Sequence, residues 1–263
     1  VILHALGIED YGINNVVGGL VSMFSVMSSS LCSAISRFMT FGLGKGDMHK
    51  LKSIFATSVN IQLGMALLVL IVGSIVGYFF LNYKMSIPAD RLYAANWVLF
   101  CSLLSFAINL ISVPYNSCII AHEKMDAFAY ISILETVLKL IIVYMIYISP
   151  YDKLITYTIL FLASSCLISY IYTIYCKRNF EECQYEPKID RSLLKEMTSF
   201  AGWNFFGNTA YMLNTQGVNM LINVFFGVTM NAARGVAIQV QNAILQFVNN
   251  LSLIHISEPT RPY

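Results

Sequence analysis

The sequence predicts an all-α fold, a polytopic transmembrane helical bundle of about seven spans, and three observations predict it. Of the 263 residues, 57% are hydrophobic and 11% charged, where a soluble globular domain carries about 25% charged residues. Charge-free stretches run over 11–36, 54–81, 92–121, 154–176, 197–233 and 235–254, and a seventh, 127–149, is interrupted only by Glu135 and Lys139. Each can cross a hydrocarbon core of about 30 Å as a helix. Basic residues, finally, alternate between the loops: 37–52, 120–126 and 177–196 together hold ten lysines and arginines, and the intervening loops hold only Lys84, Arg91 and Lys153. Short loops rich in these residues stay on the cytoplasmic side, so the first set faces inward.

Helices are required because backbone polar groups in lipid must pair within their own segment. The first stretch, 11–36, is dense in amides and hydroxyls, among them Asn14, Asn15, Ser22 and Ser25, and ends inward at Arg37. The second carries the continuous run Leu67–Val72 and then Gly73-Ser-Ile-Val-Gly77, a GxxxG face suited to close helix packing. Tyr83, Tyr93 and Trp97 mark the outer interface before the third, and Pro114 inside it is expected to kink it. The fourth contains Glu135 and Lys139, and the fifth ends inward at Tyr175 and Phe180. The sixth is again rich in amides, beginning with Asn204, and the seventh bears Arg234 near its outer end. Unbroken apolar runs exclude the alternating pattern of an outer-membrane barrel.

Four segments are expected. Residues 1–176 form a first transmembrane lobe lacking its first helix, 177–196 a cytoplasmic link, and 197–250 the start of a second lobe. Leu6–Leu20 aligns without gaps on Phe226–Val240 at an offset of 220, with Gly7 on Gly227 and Gly12 on Ala232. A tandem repeat of six helices would place such halves in parallel, as in transporters built about an axis along the membrane normal. Residues 251–263 read like a translated sequencing adapter and carry no functional expectation. The opening residues lack the basic region and cleavage site of a signal peptide, so both ends are expected to be internal to a longer protein.

Ionisable groups at membrane depth usually face a cavity or a partner. Glu135 and Lys139, at i and i+4, suit either an ion-coupling site or a neutralised structural pair. The Arg234 guanidinium fits phosphate oxygens, or snorkels to the interface. Arg37 fits the same ligand type from the inner side, or serves the positive-inside pattern. Amides such as Asn14 and Asn204 suggest a wet lumen for a hydroxyl-rich ligand, alongside interhelical hydrogen bonding. The six cysteines lack paired spacing and read as packing residues. No metal motif is present, His122, Glu123 and Asp126 read as a solvated loop, and Gly42-Leu-Gly-Lys-Gly46 lacks phosphate-loop spacing. No cofactor is expected, and a net charge of +2 gives no nucleic-acid footprint.

Several blocks together resemble polysaccharide-biosynthesis flippases. They are Gly7-Ile-Glu-Asp-Tyr-Gly-Ile-Asn-Asn-Val-Val-Gly-Gly19, Arg37-Phe-Met-Thr-Phe-Gly-Leu-Gly-Lys-Gly-Asp47, Val113-Pro-Tyr-Asn116 with Ile120-Ala-His-Glu-Lys-Met125, Tyr175-Cys-Lys-Arg, Ser199-Phe-Ala-Gly-Trp-Asn204 and Asn231-Ala-Ala-Arg-Gly235. These exporters of lipid-linked oligosaccharide belong to the multidrug/oligosaccharidyl-lipid/polysaccharide superfamily, here in a Bacteroides-type form. The resemblance implies a two-lobed inner-membrane bundle that flips an undecaprenyl-diphosphate-linked glycan by alternating access, and no bond-making chemistry. It assigns the diphosphate to Arg234 and, less directly, Arg37. Membrane lipid and the polysaccharide assembly machinery are the further partners it implies. The competing readings are a cation-coupled multidrug exporter of the same superfamily, which Glu135 would serve, and a membrane-embedded glycan-processing enzyme, for which the outer loops are short.

Overall fold

A computed structural model describes residues 6–22, 24–83, 91–150, 152–184 and 190–210, with isolated positions at 213, 237–238, 240–241, 244–245 and 248. Every element among them is helical: α1 (Ile8–Ser22), α2 (Ser25–Lys45), α3 (Met48–Tyr83), α4 (Leu92–Ala121), α5 (Met125–Ile148), α6 (Lys153–Asn179), a short 3-10 turn (Glu181–Cys183), and α7 over 191–210. Four of these, α3 to α6, are long and apolar enough to cross a membrane. The chain divides into two compact units, Val1–Phe205 and Phe206–Tyr263; the second lobe was expected to begin at residue 197. The Phe226–Val240 copy of the repeat and Arg234 lie outside the described residues, isolated helical positions apart.

The first predicted span differs in one respect. The charge-free run 11–36 is divided between two helices, α1 and α2, and 15-residue α1 is shorter than the about 20 residues a crossing needs. Around the break the backbone tightens: Phe24 N–H donates to Val21 C=O at 3.1 Å and Met27 N–H to Phe24 C=O at 3.1 Å. Serines here bond back to their own helix, Ser29 and Ser30 Oγ donating to Val26 C=O at 2.9 and 2.8 Å.

Local sequence accounts for the other ends. Gly46 closes α2 with φ +67°, a left-handed position that glycine adopts without penalty, and its N–H reaches Leu43 C=O. Asp47 Oδ1 accepts from Lys50 N–H at 3.0 Å at the start of α3. Asp152 caps α6, accepting from Leu154 and Ile155 N–H. α4 continues through Pro114.

Pairwise contacts give each helix its direction. α3 and α4 are antiparallel: the position a Cβ would take on Gly73 is 2.5 Å from Leu103 Cδ2, and that on Gly77 is 2.7 Å from Leu99 Cδ1. The GxxxG face is therefore the seat of α4, as its spacing predicted. α4 and α6 run parallel, with Ser112 Oγ donating to Ser169 Oγ at 2.7 Å and Cys176 Sγ to Tyr115 C=O at 3.3 Å. α2 also runs parallel to α4, Phe24 meeting Phe106 and Cys32 Sγ lying 3.8 Å from Ser117 Oγ. α5 is antiparallel to α6, with Ala127 and Ile131 packed in the same core as Cys176 and Ile168. Strict alternation therefore holds from α2 to α6. The basic residues Lys45, Lys50, Lys52, Lys124, Lys177 and Arg178 gather at one end of the unit.

Two large apolar cores result, with a small third cluster of Leu6, Ile142 and Ile146. One, toward the basic end, surrounds Phe55, Met39 and Ile119, with Phe55 against Tyr115 edge-on at 5.3 Å, and includes Leu193, Met197 and Ala201 of α7. The other, toward the opposite end, surrounds Val17, Val98 and Leu103. Between helices that cross a membrane such packing, rather than apolar burial, supplies the cohesion. Large apolar side chains of α3 and α5, such as Leu67, Ile75, Tyr130 and Ile133, remain exposed on the unit's surface.

Candidate functional site

A cavity of about 340 Å³, mostly apolar with amides and hydroxyls interspersed, opens in the half of the first unit away from the basic end. α1 contributes Asn14, Gly18 and Val21, whose spacing of four and three residues puts them on one face. α4 contributes Ser102, Ser105 and Asn109 at i, i+3 and i+7, together with Phe106, and α6 contributes Tyr157, Thr158 and Phe161. Ser25, at the start of α2, completes the wall. Among the described residues, no Asp, Glu, Lys or Arg lines this cavity. Its two amides and its hydroxyls offer donors and acceptors side by side, and Phe106, Tyr157 and Phe161 add apolar faces.

Of the residues singled out in the sequence, Asn14 lines this cavity. The α4 and α6 walls were not singled out, although the serine and asparagine spacing on α4 was a readable signal. Arg37 stands apart: it is exposed near the basic end of α2, its guanidinium 4.4 Å from the centre of the Phe200 ring of α7. Asn204, half-buried, sits one turn beyond Phe200 on the same face of α7. Arg234 lies outside the described residues.

Glu135 and Lys139 form an ion pair, Lys139 Nζ lying 2.6 Å from Glu135 Oε1, near the middle of α5. Their side chains are 40% and 48% exposed, among exposed Leu134, Val137 and Leu140. Lys139 Nζ also lies 5.9 Å from the ring centre of Phe161, the residue that lines the cavity from α6.

A second ion-pair group ties the end opposite the basic one. Arg91, ahead of α4, meets Asp152 at 2.6 Å and Asp10 of α1 at 3.4 Å, Asp10 being almost fully buried.

At the basic end a third group gathers Cys118, His122 and Glu182. One ligand-type atom from each lies within 4.8 Å of the other two. Cys118 and His122 are one turn apart at the end of α4, and Glu182 sits in the 3-10 turn after α6 with 1% exposure. Glu182 Oε1 accepts from Cys118 Sγ at 3.4 Å and pairs with His122 Nε2. Phe180 stacks on the His122 ring, centroids 4.1 Å apart and planes 12° apart. Cys183 Sγ donates to Cys118 Sγ at 3.4 Å. That hydrogen bond, with burial and the nearby Glu182 charge, holds the Cys183 thiol above its ordinary range. The cysteines and His122 were read from sequence as packing and loop residues. Their i, i+4 spacing was visible, but the third member lies 60 positions further on and only the fold brings it near.

Comparisons with protein families, with curated proteins and with solved structures find no match.

Proposed function

We propose that this chain is part of a bacterial inner-membrane flippase for lipid-linked oligosaccharide. The observation that carries the reading is the uncharged cavity walled by Asn14, Asn109, Ser102, Ser105 and Thr158. It sits in a bundle with four helices long and apolar enough to cross a membrane. Ser105 Oγ in this wall is buried with no hydrogen-bond partner among the described residues, a cost that a sugar hydroxyl would relieve. The sequence blocks that resemble polysaccharide flippases point the same way. In this reading the glycan meets the amides, Arg234 and Arg37 serve the diphosphate, and the two lobes rock about the site. Chemistry on the substrate plays no part.

The Glu135–Lys139 pair supports a second reading, a cation-coupled multidrug exporter of the same superfamily. A charge pair midway along an apolar helix, half exposed, calls for a watered or protein-lined neighbour rather than lipid. One experiment separates the two. The purified chain in nanodiscs is titrated with a fluorescent polyprenyl-diphosphate disaccharide and, separately, with lipophilic cationic dyes. The flippase reading expects saturable glycolipid binding that weakens in Asn14→Leu and Asn109→Leu, with no dye binding. Dye binding that Glu135→Gln abolishes, with no glycolipid binding, selects the exporter.

A further inference from the structure

We infer that Cys118, His122 and Glu182 form a binding site for a divalent transition metal of the zinc class, clamping the end of α4 to the turn after α6. The donor set is one thiol, one imidazole and one carboxylate. Soft thiolate and imidazole favour zinc-like ions over magnesium or calcium, which take oxygen ligands. Tetrahedral zinc with bonds of about 2.0–2.3 Å spaces its ligand atoms about 3.3–3.8 Å apart. Cys118 Sγ and Glu182 Oε1 are already 3.4 Å apart, and His122 Nε2 lies against the same carboxylate oxygen. The site is therefore compact enough to close on an ion with little movement.

Glu182 is 1% exposed, and its Oε1 already faces both the Cys118 thiol and His122 Nε2. A divalent ion bound by one thiolate, one carboxylate and a neutral imidazole leaves the buried group with no net charge. Cys118 loses its proton on binding, and that proton passes to solvent. The surroundings hold the ligands in place: the Phe180 ring fixes the plane of His122, and Cys183 bonds to the Cys118 sulfur. His122 is the one ligand with an open side, its side chain 25% exposed, so the ion enters there and a water takes the fourth position.

The test uses the whole chain purified in detergent, stripped with a chelator, and titrated with Co²⁺ and then Zn²⁺. One equivalent of Co²⁺ is expected to give tetrahedral visible bands and a thiolate-to-cobalt charge-transfer band, both removed by Zn²⁺. Cys118→Ser should lose the charge-transfer band. His122→Asn and Glu182→Gln, which keep side-chain volume close, should weaken binding more than about tenfold, and Cys183→Ser should retain the spectrum. Zn²⁺ should also protect Cys118 from alkylation in the unmodified chain, mapped by peptide mass spectrometry, a readout that needs no variant to fold. The inference is overturned if the wild-type chain, with helical circular dichroism intact, gives no saturable cobalt spectrum. It is equally overturned if the band survives Cys118→Ser or if Zn²⁺ leaves Cys118 alkylation unchanged. None of these readouts depends on transport, so the site stands or falls apart from the flippase reading.

Discussion

Asp152 divides its two carboxylate oxygens between α6 and Arg91. Oδ1 accepts from Leu154 N–H at 3.0 Å and Ile155 N–H at 3.3 Å, and Oδ2 meets Arg91 Nη1 at 2.6 Å. One residue therefore both starts a helix and joins it to the head of α4.

The two roles separate by substitution. Asp152→Asn keeps an oxygen for the cap and loses only the charge, whose partly exposed pairing is worth about 0–1 kcal/mol. Asp152→Ala loses the cap as well, about 1 kcal/mol more. Thermal melts followed by circular dichroism in detergent should rank wild type above Asp152→Asn, and Asp152→Asn above Asp152→Ala.

The α3–α4 contact predicts a size-dependent cost at Gly73. Leucine there would drive into Leu103, because even a Cβ would lie 2.5 Å from Leu103 Cδ2, and overpacking of this kind costs about 1–3 kcal/mol. Gly73→Leu should lower the melting temperature, and the added substitution Leu103→Ala should restore part of it. A double-mutant cycle reads that coupling directly.

Gln62 is fully buried in α3, and neither atom of its side-chain amide has a partner among the described residues. An unsatisfied buried polar group costs about 1–3 kcal/mol. Gln62→Leu is therefore expected to raise the melting temperature of the detergent-solubilised chain, and a lower value would show that the amide is bonded.

Gly46 occupies the left-handed region at φ +67°, where an L side chain costs about 1–2 kcal/mol. Gly46→Ala should destabilise the α2–α3 turn, and Gly46→Asn should do so less, since asparagine tolerates that conformation. Proteolysis within 43–50 under native conditions should rise in the same order.

Much of the helical layout was legible. The charge-free stretch 92–121 coincides with α4, and 54–81, 127–149 and 154–176 fall on α3, α5 and α6 within a few residues, because a charged side chain is what most plainly limits a lipid-embedded segment. Absence of charge is silent about continuity, so the end of α1 at Ser22 and the start of α2 at Ser25 were missed. Asn14 was conspicuous in the sequence as an amide in an apolar helix. Ser102, Ser105 and Thr158 were not, since single hydroxyls commonly bond back to their own helix, as Thr158 does to Leu154 C=O. Glu182 was invisible as a partner of Cys118 because that meeting depends on α4 and α6 running parallel and ending together.

The length of α3 constrains its neighbour. Thirty-six residues make a rod of about 54 Å, and the oily layer of a bilayer is about 30 Å deep. Standing upright, α3 would rise well clear of both leaflets, and lying within them it must lean steeply. Leu103 and Leu99, lodged on Gly73 and Gly77, leave the two rods no room to slip past each other. Whatever slant α3 takes across a bilayer, α4 takes with it, the pair forming a single spliced mast.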